Sequence, residues 1–229
     1  MKYLFRRSTY APQRNGNLGE RHMKVGIIGA GSLGTALAKR LAIAGHQVML
    51  SYSRDAEKLA AMAADLGVGH GEPADVKAWA DVVALAVPWG AVTDAVARLG
   101  DLTGTILWDC TNSLKPDMTA LEIGTTTSAG EELRRLAPDA RVVKGIPTFA
   151  ELLHSDDPLV GGKPAGLFVA GDDAEAKAIV SELMADLPGT VVDAGELYAS
   201  RFIEPAWILL VHLAYRQGLG PRLALDLVR

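Results

Sequence analysis

The sequence predicts an α/β protein built on a doubly wound parallel sheet, with a small C-terminal α/β extension that ends in a long helix. Three observations predict this class. Nearly unbroken apolar runs of strand length recur along the chain, which is typical of parallel strands buried on both faces. Segments with apolar residues at helical spacing follow several of these runs. A glycine-rich turn, GAGSLG at residues 29–34, joins the first such run to the first such segment.

The glycine-rich turn has the spacing G-x-G-x-x-G and lies between an apolar run at residues 25–28 and leucines that recur every four residues from 33 to 41. In such a turn Gly29 permits a tight bend, Gly31 lets the backbone approach a pyrophosphate, and Gly34 lets the helix pack on the sheet. Free N–H groups at the start of the helix favour phosphate. A turn without a ligand is the alternative, but the order of strand, turn, helix and second strand favours a Rossmann dinucleotide site. The residues expected at the cofactor are Gly29, Ala30, Gly31, Ser32, Leu33 and Gly34.

The end of the second strand indicates which dinucleotide binds. NAD enzymes place an acidic side chain there for the ribose 2′-hydroxyl, whereas NADP enzymes place arginine and hydroxyl groups around the 2′-phosphate. This chain has Ser53 and Arg54 at that point, and Asp55 comes late enough to be the N-cap of the next helix. Lys58, in the first turn of that helix, is expected to reach the same phosphate. An ordinary polar loop is the alternative, and the missing acid favours NADP(H).

Further apolar runs at residues 81–88, 105–112 and 141–149 predict additional parallel strands. Ligands of open parallel sheets bind outside the carboxyl ends of the strands, so these ends are expected to converge on one crevice. The strand-end residues expected there are Val87, Pro88 and Trp89, together with Ile146, Pro147 and Thr148.

The predicted organisation has three parts. Residues 1–22 lack a core-forming pattern and precede Met23, a plausible start, so they are expected to be a disordered extension. Residues 23–150 form the NADP-binding Rossmann domain. Residues 151–229 form a small C-terminal domain for acceptor binding and dimerisation. Its helical tail, from about residue 195 to 217, is apolar on nearly every face near its middle, which predicts a subunit interface, with burial inside the monomer as the alternative.

Composition excludes several classes of function. The net charge of −4 over 229 residues gives no basic footprint for nucleic acid. The longest apolar stretch, residues 206–213, is far shorter than the roughly 20 residues that span a bilayer. The single cysteine, Cys110, predicts no disulfide framework and a cytoplasmic location. The five histidines show no metal-ligand spacing, so no metal is expected.

No catalytic residue is assigned. Cys110 follows an apolar strand with no histidine nearby in sequence, so it is expected in the core. Asp109 and His154 are candidates for an acid or base, but hydrogen bonding to a loop and solvation, respectively, are the plainer interpretations. Hydride transfer between two stacked rings needs mainly a dry site that holds them together.

Longer stretches of the chain resemble the NADP-dependent coenzyme F420 oxidoreductase family, to which the reductase domains of the STEAP metalloreductases are similar. The matching segments are VGIIGAGSLGTALA, GHQVMLSYSRDAEKL, ADVVALAVPWGAV, AGDDAEAKAIVSEL and DAGELYASRFIEPAWILLVHLAYRQGLG. The resemblance implies hydride exchange between NADPH and the deazaflavin F420 in a homodimer. It places Ser53, Arg54 and Lys58 on the 2′-phosphate and Pro88-Trp89 beside the nicotinamide.

The chain departs from the family pattern at residues 145–148, where Gly-Ile-Pro-Thr replaces an Ala-Phe-Asn-Thr-like stretch. The acceptor ring is expected here, so a larger side chain at Gly145 is expected to block it. Lys144, Lys163 and Arg201 are candidates for the anionic tail of F420. A flavin acceptor, an NADPH-dependent reductase of a small carbonyl or imine, and a non-enzymatic NADPH-binding module are the alternatives.

Overall fold

The structure is a computed structural model that describes residues 22–52 and 55–227. Its centre is one sheet of eight strands in the order β3-β2-β1-β4-β5-β6-β7-β8. The strands are β1 (Lys24–Ile28), β2 (Gln47–Ser51), β3 (Gly69–His70), β4 (Val82–Leu85), β5 (Ile106–Asp109), β6 (Arg141–Ile146), β7 (Ala165–Gly171) and β8 (Gly189–Asp193). The helices are α1 (Ser32–Ile43), α2 (Ala56–Leu66), α3 (Pro73–Trp79), α4 (Val92–Leu99), α5 (Ala129–Leu136), α6 (Ala150–His154), α7 (Ala174–Ala185) and α8 (Ser200–Val211). The expectations for residues 1–21 and for Ser53 and Arg54 lie outside the described residues.

The first six strands form the predicted doubly wound unit. Each is parallel to its neighbours, and the order 3-2-1-4-5-6 reverses direction between β1 and β4. This reversal leaves a crevice at the carboxyl ends of the strands, where cofactors bind in such sheets. The predicted fold class is therefore confirmed.

The C-terminal strands extend the same sheet. Strand β7 pairs with β6 in the antiparallel direction, and β8 is parallel to β7, so the whole sheet is mixed rather than parallel throughout. The expected boundary after residue 150 thus falls within one continuous hydrogen-bonded sheet. The assignment of acceptor binding and dimerisation to residues 151–229 stays a prediction.

Both faces of the central strands are buried, which explains their unbroken apolar sequence. In β4, Val82 and Ala84 pack in the cluster that contains α1 and α7 side chains, whereas Val83 and Leu85 pack in the cluster that contains α3, α4 and α5 side chains. A strand with alternating apolar and polar residues could not serve this position, because side chains alternate between the faces.

The helical tail spans residues 197–216, close to the expected range of about 195–217, but it is not one regular α-helix. A single 3-10 turn at Leu197–Ala199 precedes α8, and a π-helical turn at His212–Arg216 follows it. Glu204 of α8 pairs with Lys144 in the carboxyl-terminal half of β6, and Leu210 packs with Phe149 and Leu152, so the tail lies over the predicted crevice.

Candidate cofactor and acceptor site

The glycine turn has the geometry that dinucleotide binding requires. Gly29 has φ +122°, and a Cβ atom there would lie 2.3 Å from the carbonyl oxygen of Ala86. A Cβ atom on Gly34 would lie 1.8 Å from the carbonyl oxygen of Gly29. By contrast, a Cβ atom on Gly31 would have no atom within 4 Å. Packing therefore requires glycine at two positions, and at the third the backbone faces open space that a ligand can occupy.

Helix α1 begins immediately beyond this open space. Gly31 is its N-cap residue and supplies no side-chain cap, and the first turn of the helix contains no acidic residue. The N–H groups of the first turn, in Ser32, Leu33 and Gly34, have no intrahelical acceptor and carry the positive end of the helix dipole. A diphosphate fits this end of the helix without competition from a protein carboxylate.

The residues predicted to bind the 2′-phosphate begin just after β2. Ser53 and Arg54 lie outside the described residues. Asp55 caps α2, since its carboxylate accepts the N–H of Lys58 at 3.0 Å, and this confirms the predicted N-cap. The side chain of Lys58 is exposed in the first turn of α2, and its contact with a phosphate stays a prediction.

Tyr52 makes a connection that the sequence did not predict. Its backbone is left-handed, with φ +63°, and its hydroxyl donates to Asp94 of α4 at 2.8 Å. Arg98 donates to the same carboxylate at 2.8 Å and lies 5.8 Å from the tyrosine ring. Partial burial and the hydrogen bond to Asp94 raise the pKa of Tyr52. This contact fixes the residue that immediately precedes Ser53 and Arg54.

A cavity of about 250 Å³, which we call the cleft, opens between the glycine turn and the C-terminal helices. The turn contributes Ser32 and Leu33, and Cys110, the residue immediately after β5, lines the cleft beside them. The structure therefore brings together predicted residues from two parts of the chain. Those that line the cleft are Ser32, Leu33, Ile146, Pro147 and Thr148. Their contact with a cofactor or acceptor stays a prediction.

The hydroxyl of Thr148 is buried and has no hydrogen-bond partner within the part of the chain that the structure describes. A buried polar atom without a partner is costly, so such an atom beside a cavity is a candidate ligand contact.

Val87, Pro88 and Trp89 lie at the end of β4 but do not line the cleft. Val87 is buried with the side chains of α3 and α4, Trp89 is partly buried against that cluster, and Pro88 is exposed. That these residues lie beside the nicotinamide stays a prediction.

One wall of the cleft is aromatic. The rings of Phe149 and Trp207 lie 5.1 Å apart at 30°, and the ring of Tyr215 meets Phe149 edge-on at 6.0 Å. The hydroxyl of Tyr215 donates to Glu151 at 2.9 Å. Sequence reasoning missed Trp207 and Tyr215 as site residues, because the apolar tail was interpreted as a subunit interface. The signal that could have indicated them is their spacing, since Trp207 and Tyr215 are eight residues apart and so lie on similar faces of a helix.

A fully buried ion cluster lies beneath the cleft. The Nζ atom of Lys144 is 2.6 Å from a carboxylate oxygen of Asp109 and 2.9 Å from one of Glu204, and it donates to the carbonyl of Thr111 at 2.9 Å. Burial alone would lower the pKa of Lys144, but the two carboxylates outweigh it and raise that pKa. Lys144 therefore stays charged and cannot reach the tail of an acceptor, so that expectation was wrong.

The remaining candidates for acid, base, nucleophile or anion-binding roles are buried or lie near other side chains or backbone groups of the chain. Asp109 accepts the N–H and hydroxyl of Thr111, which confirms its interpretation as a loop-binding residue. Cys110 is buried, and burial raises the pKa of its thiol well above the usual value. Nε2 of His154 lies 3.2 Å from the carbonyl oxygen of Ser32, so His154 contacts the glycine turn rather than solvent alone. Arg201 is paired with Glu131, and Lys163 lies 4.0 Å from Asp226.

Gly145 does not face the cleft. A Cβ atom there would lie 2.6 Å from the indole nitrogen of Trp108 and 2.7 Å from the sulfur of Met184, in the core beneath α7. A larger side chain at this position would therefore disrupt the core, and the expectation that it blocks the acceptor ring was wrong.

Within residues 22–52 and 55–227, no group of three or more histidine, cysteine, aspartate or glutamate side chains is arranged to hold a metal ion. No helix in the same ranges combines the length and apolar character needed to cross a membrane.

Comparisons with known proteins agree with the geometry. Residues 24–113 match the family model described as NADP oxidoreductase, coenzyme F420-dependent. The F420-dependent NADP reductase of Methanothermobacter marburgensis is 28% identical over 209 residues, which cover 83% of this chain and 92% of the relative. A solved structure from Arthrobacter sp. FB24, provisionally assigned as an F420-dependent NADP reductase, superposes with a TM-score of 0.80 at 28% identity and covers 90% of this chain and 100% of its own.

Other enzymes are similar to part of the chain. The glycerol-3-phosphate dehydrogenase [NAD(P)+] of Azorhizobium caulinodans is 32% identical over 166 residues, or 66% of this chain. The metalloreductase STEAP3 of Rattus norvegicus is 27% identical over 191 residues, or 80% of this chain. The chain spans less than half the length of these two relatives, 46% and 38% respectively.

Proposed function

The chain belongs to the family of NADP oxidoreductases that depend on coenzyme F420, and from this premise we propose that it transfers a hydride between NADPH and a deazaflavin or flavin ring, with F420 as the first candidate. The observation that carries the proposal is the cleft. It extends from Ser32 and Leu33 of the glycine turn to the aromatic wall of Phe149, Trp207 and Tyr215. Planar rings stack favourably on such side chains.

The residues of the turn would hold the diphosphate of NADP(H). Gly29 and Gly34 allow α1 to start close to the strand, and Gly31 leaves its backbone open to the ligand. We assign Ser53, Arg54 and Lys58 to the 2′-phosphate, because no acidic side chain ends β2 and Asp55 is engaged as a helix cap. When bound, NADPH supplies the hydride and the acceptor ring receives it.

The rest of the cleft would position the rings and exclude water. Leu33, Ile146 and Pro147 offer apolar surfaces, and the unpartnered hydroxyl of Thr148 is available to one polar edge of a bound ring. Val87, Pro88 and Trp89 are assigned to the nicotinamide end through the resemblance. Holding two rings at reacting distance is the main demand of hydride transfer, so no catalytic acid or base is assigned.

One observation favours a second candidate, the NADPH-dependent reduction of a small carbonyl or imine. Tyr215 borders the cleft, and burial together with the hydrogen bond to Glu151 raises its pKa to about 12. Its hydroxyl could donate a proton to a substrate oxygen or nitrogen, but the raised pKa and the hydrogen bond to Glu151 make it a weak acid at neutral pH. We rank this function second because the aromatic wall offers a ring-stacking surface and a carbonyl substrate does not need one.

A homodimer is part of the proposal. Phe202 and Leu209, seven residues apart on one face of α8, are 66% and 53% exposed, and a second copy could cover them. We also retain a cytoplasmic location, which suits a chain with one buried cysteine.

The function is tested by rapid mixing of the purified protein with NADPH and, in parallel, F420, FMN, FAD, riboflavin and a set of small keto acids and cyclic imines. We expect NADPH oxidation with F420 and at most slow oxidation with the keto acids and imines. Tight NADPH binding without reduction of any acceptor would instead indicate a non-enzymatic binding module.

A further inference from the structure

We propose that the buried ion cluster of Asp109, Lys144 and Glu204 is the positioning device of the acceptor site, a role that rests on the proposed function of the cleft. Each member is followed within three residues by one that lines the cleft: Asp109 by Cys110, Lys144 by Ile146, and Glu204 by Trp207. The three segments belong to β5, β6 and α8.

Regular secondary structure holds the three side chains of the cluster in a defined arrangement. Asp109 and Lys144 are directly opposite each other in the β5–β6 ladder, so their pairing does not depend on loops. Glu204 reaches them from α8, and its two carboxylate oxygens also accept the backbone N–H groups of Ala129 and Gly130 at 2.9 and 3.1 Å, at the start of α5. One side chain thus fixes α8 to a strand and to a helix at the same time.

Stability alone does not account for this arrangement. Replacement of buried ions by apolar side chains of similar volume is often neutral or stabilising, whereas buried polar groups can select one arrangement among several packings. Leu210 and Val211 of α8 pack among apolar side chains, and such contacts do not fix a single position, whereas the cluster has one geometry that satisfies the ammonium group of Lys144. Because Trp207 lies one helical turn beyond Glu204, this contact sets the position of the aromatic wall relative to Ile146.

A second ion pair between the same helices provides a matched control. Arg201 of α8 donates to Glu131 of α5 at 2.8 and 2.6 Å, and this pair is less buried than the cluster, because the Arg201 side chain is 34% exposed and that of Glu131 is 11% exposed. Glu131 lines a different cavity, away from the aromatic wall. Glu131→Gln removes a carboxylate that also joins α5 to α8, and leaves the buried cluster intact.

The test compares Glu204→Gln with Glu131→Gln in the full chain. For Glu204→Gln we expect kcat/KM for F420 to fall about ten- to a hundredfold, mainly through KM, while the Kd of NADPH stays within about twofold. For Glu131→Gln we expect both values to stay near those of the unaltered protein. Equal effects of the two variants on KM, or an equal loss of NADPH affinity in Glu204→Gln, would show that the cluster has a general structural role.

Hydrogen exchange gives a readout that needs no acceptor. In Glu204→Gln, the amides of residues 206–215 and of Ile146, Thr148 and Phe149 should exchange faster than in the unaltered protein, while those of β1 and α1 should not change. Asp109→Asn should show the same pattern if Glu204→Gln proves too unstable to purify. Unchanged exchange in the cleft segments overturns the inference, whereas absence of F420 turnover in the unaltered protein overturns the proposed function.

Discussion

The start of helix α1 lies so close to the preceding turn that a Cβ atom on Gly34 would be 1.8 Å from the carbonyl oxygen of Gly29. No side chain can adjust to relieve this contact, because the obstructing atom belongs to the backbone. Gly31, three residues earlier, has φ −83° and open space around it. Packing therefore requires glycine at position 34, whereas the requirement for glycine at position 31 is predicted to come from the ligand.

This difference predicts opposite results for two alanine variants. Gly34→Ala should lower stability by about 1–3 kcal/mol or more, because the helix must move away from the strand. Gly31→Ala should fold with a loss of at most about 1 kcal/mol from the weaker N-cap, yet bind NADPH at least about tenfold more weakly. Thermal unfolding and calorimetric titration distinguish them. Unimpaired NADPH binding by Gly31→Ala would show that the diphosphate does not lie on this turn.

Cofactor preference should depend on Arg54. In Arg54→Ala, the loss of a charge-assisted contact of about 1.5–3 kcal/mol should weaken NADPH binding about ten- to a hundredfold. The affinity for NADH, which lacks the phosphate, should change little and serves as the internal control. Equal affinities for the two cofactors in the unaltered protein would refute the assignment of the 2′-phosphate.

The aromatic wall should bind the acceptor and not NADPH. Trp207→Ala removes a ring 5.1 Å from Phe149, so the KM for F420 should rise several-fold, on the basis of about 0.5–1.5 kcal/mol for an aromatic contact. The control is Phe202→Ala, on the outward face of the same helix. Steady-state kinetics with each substrate varied in turn provides the measurement. If the two variants change KM alike, the acceptor does not stack on Trp207.

Candidate acids and bases should prove dispensable for chemistry. Asp109→Asn places an amide beside the buried ammonium group of Lys144 and should cost about 3 kcal/mol of stability. Its kcat per folded molecule, and that of His154→Ala, should fall by much less than the ~100-fold typical of an essential acid or base. If Asp109→Asn instead abolishes turnover while stability and NADPH affinity are unchanged, acid-assisted reduction of a carbonyl or imine becomes the better account.

The pair of Tyr215 and Glu151 predicts a pH dependence. Burial and the hydrogen bond to Glu151 raise the pKa of Tyr215 from 10.0 to about 12. The folded state therefore holds this proton more tightly than the unfolded state, and the resulting stability is complete below pH 10 and is lost as the pH rises to about 12. The tyrosinate absorbance that disappears in Tyr215→Phe reports this titration. Glu151→Gln should shift it downward, and a titration near pH 10 in the unaltered protein would show that the pair does not form.

Local patterns in the sequence were sufficient for the glycine turn, the parallel strands and the cap at Asp55. These features depend on backbone conformation and on periodicity within about a dozen residues. The direction of β7 could not be predicted in this way, because an apolar strand has the same sequence pattern whether it is parallel or antiparallel. The orientation of Gly145 was missed for a related reason, since β6 is buried on both faces and its sequence does not indicate which face a residue occupies.

The buried cluster shows the limit of reading a single sequence. Lys144 and Glu204 are 60 residues apart and belong to a strand and a helix that meet only in the folded chain. From the sequence, Lys144 was a candidate for binding the anionic tail of F420. The structure shows that two carboxylates from other elements compensate its charge, and their proximity could not be inferred from spacing.

The most direct test of the central claim follows the hydride itself. NADPH deuterated at both C4 positions is oxidised by the protein in ordinary water with F420 as acceptor, and the reduced deazaflavin is analysed by mass spectrometry and NMR. Direct transfer between rings in the cleft predicts one deuterium on the acceptor carbon for each NADPH consumed. Reduced acceptor without deuterium, or no oxidation of bound NADPH by F420 or any flavin, would contradict the account.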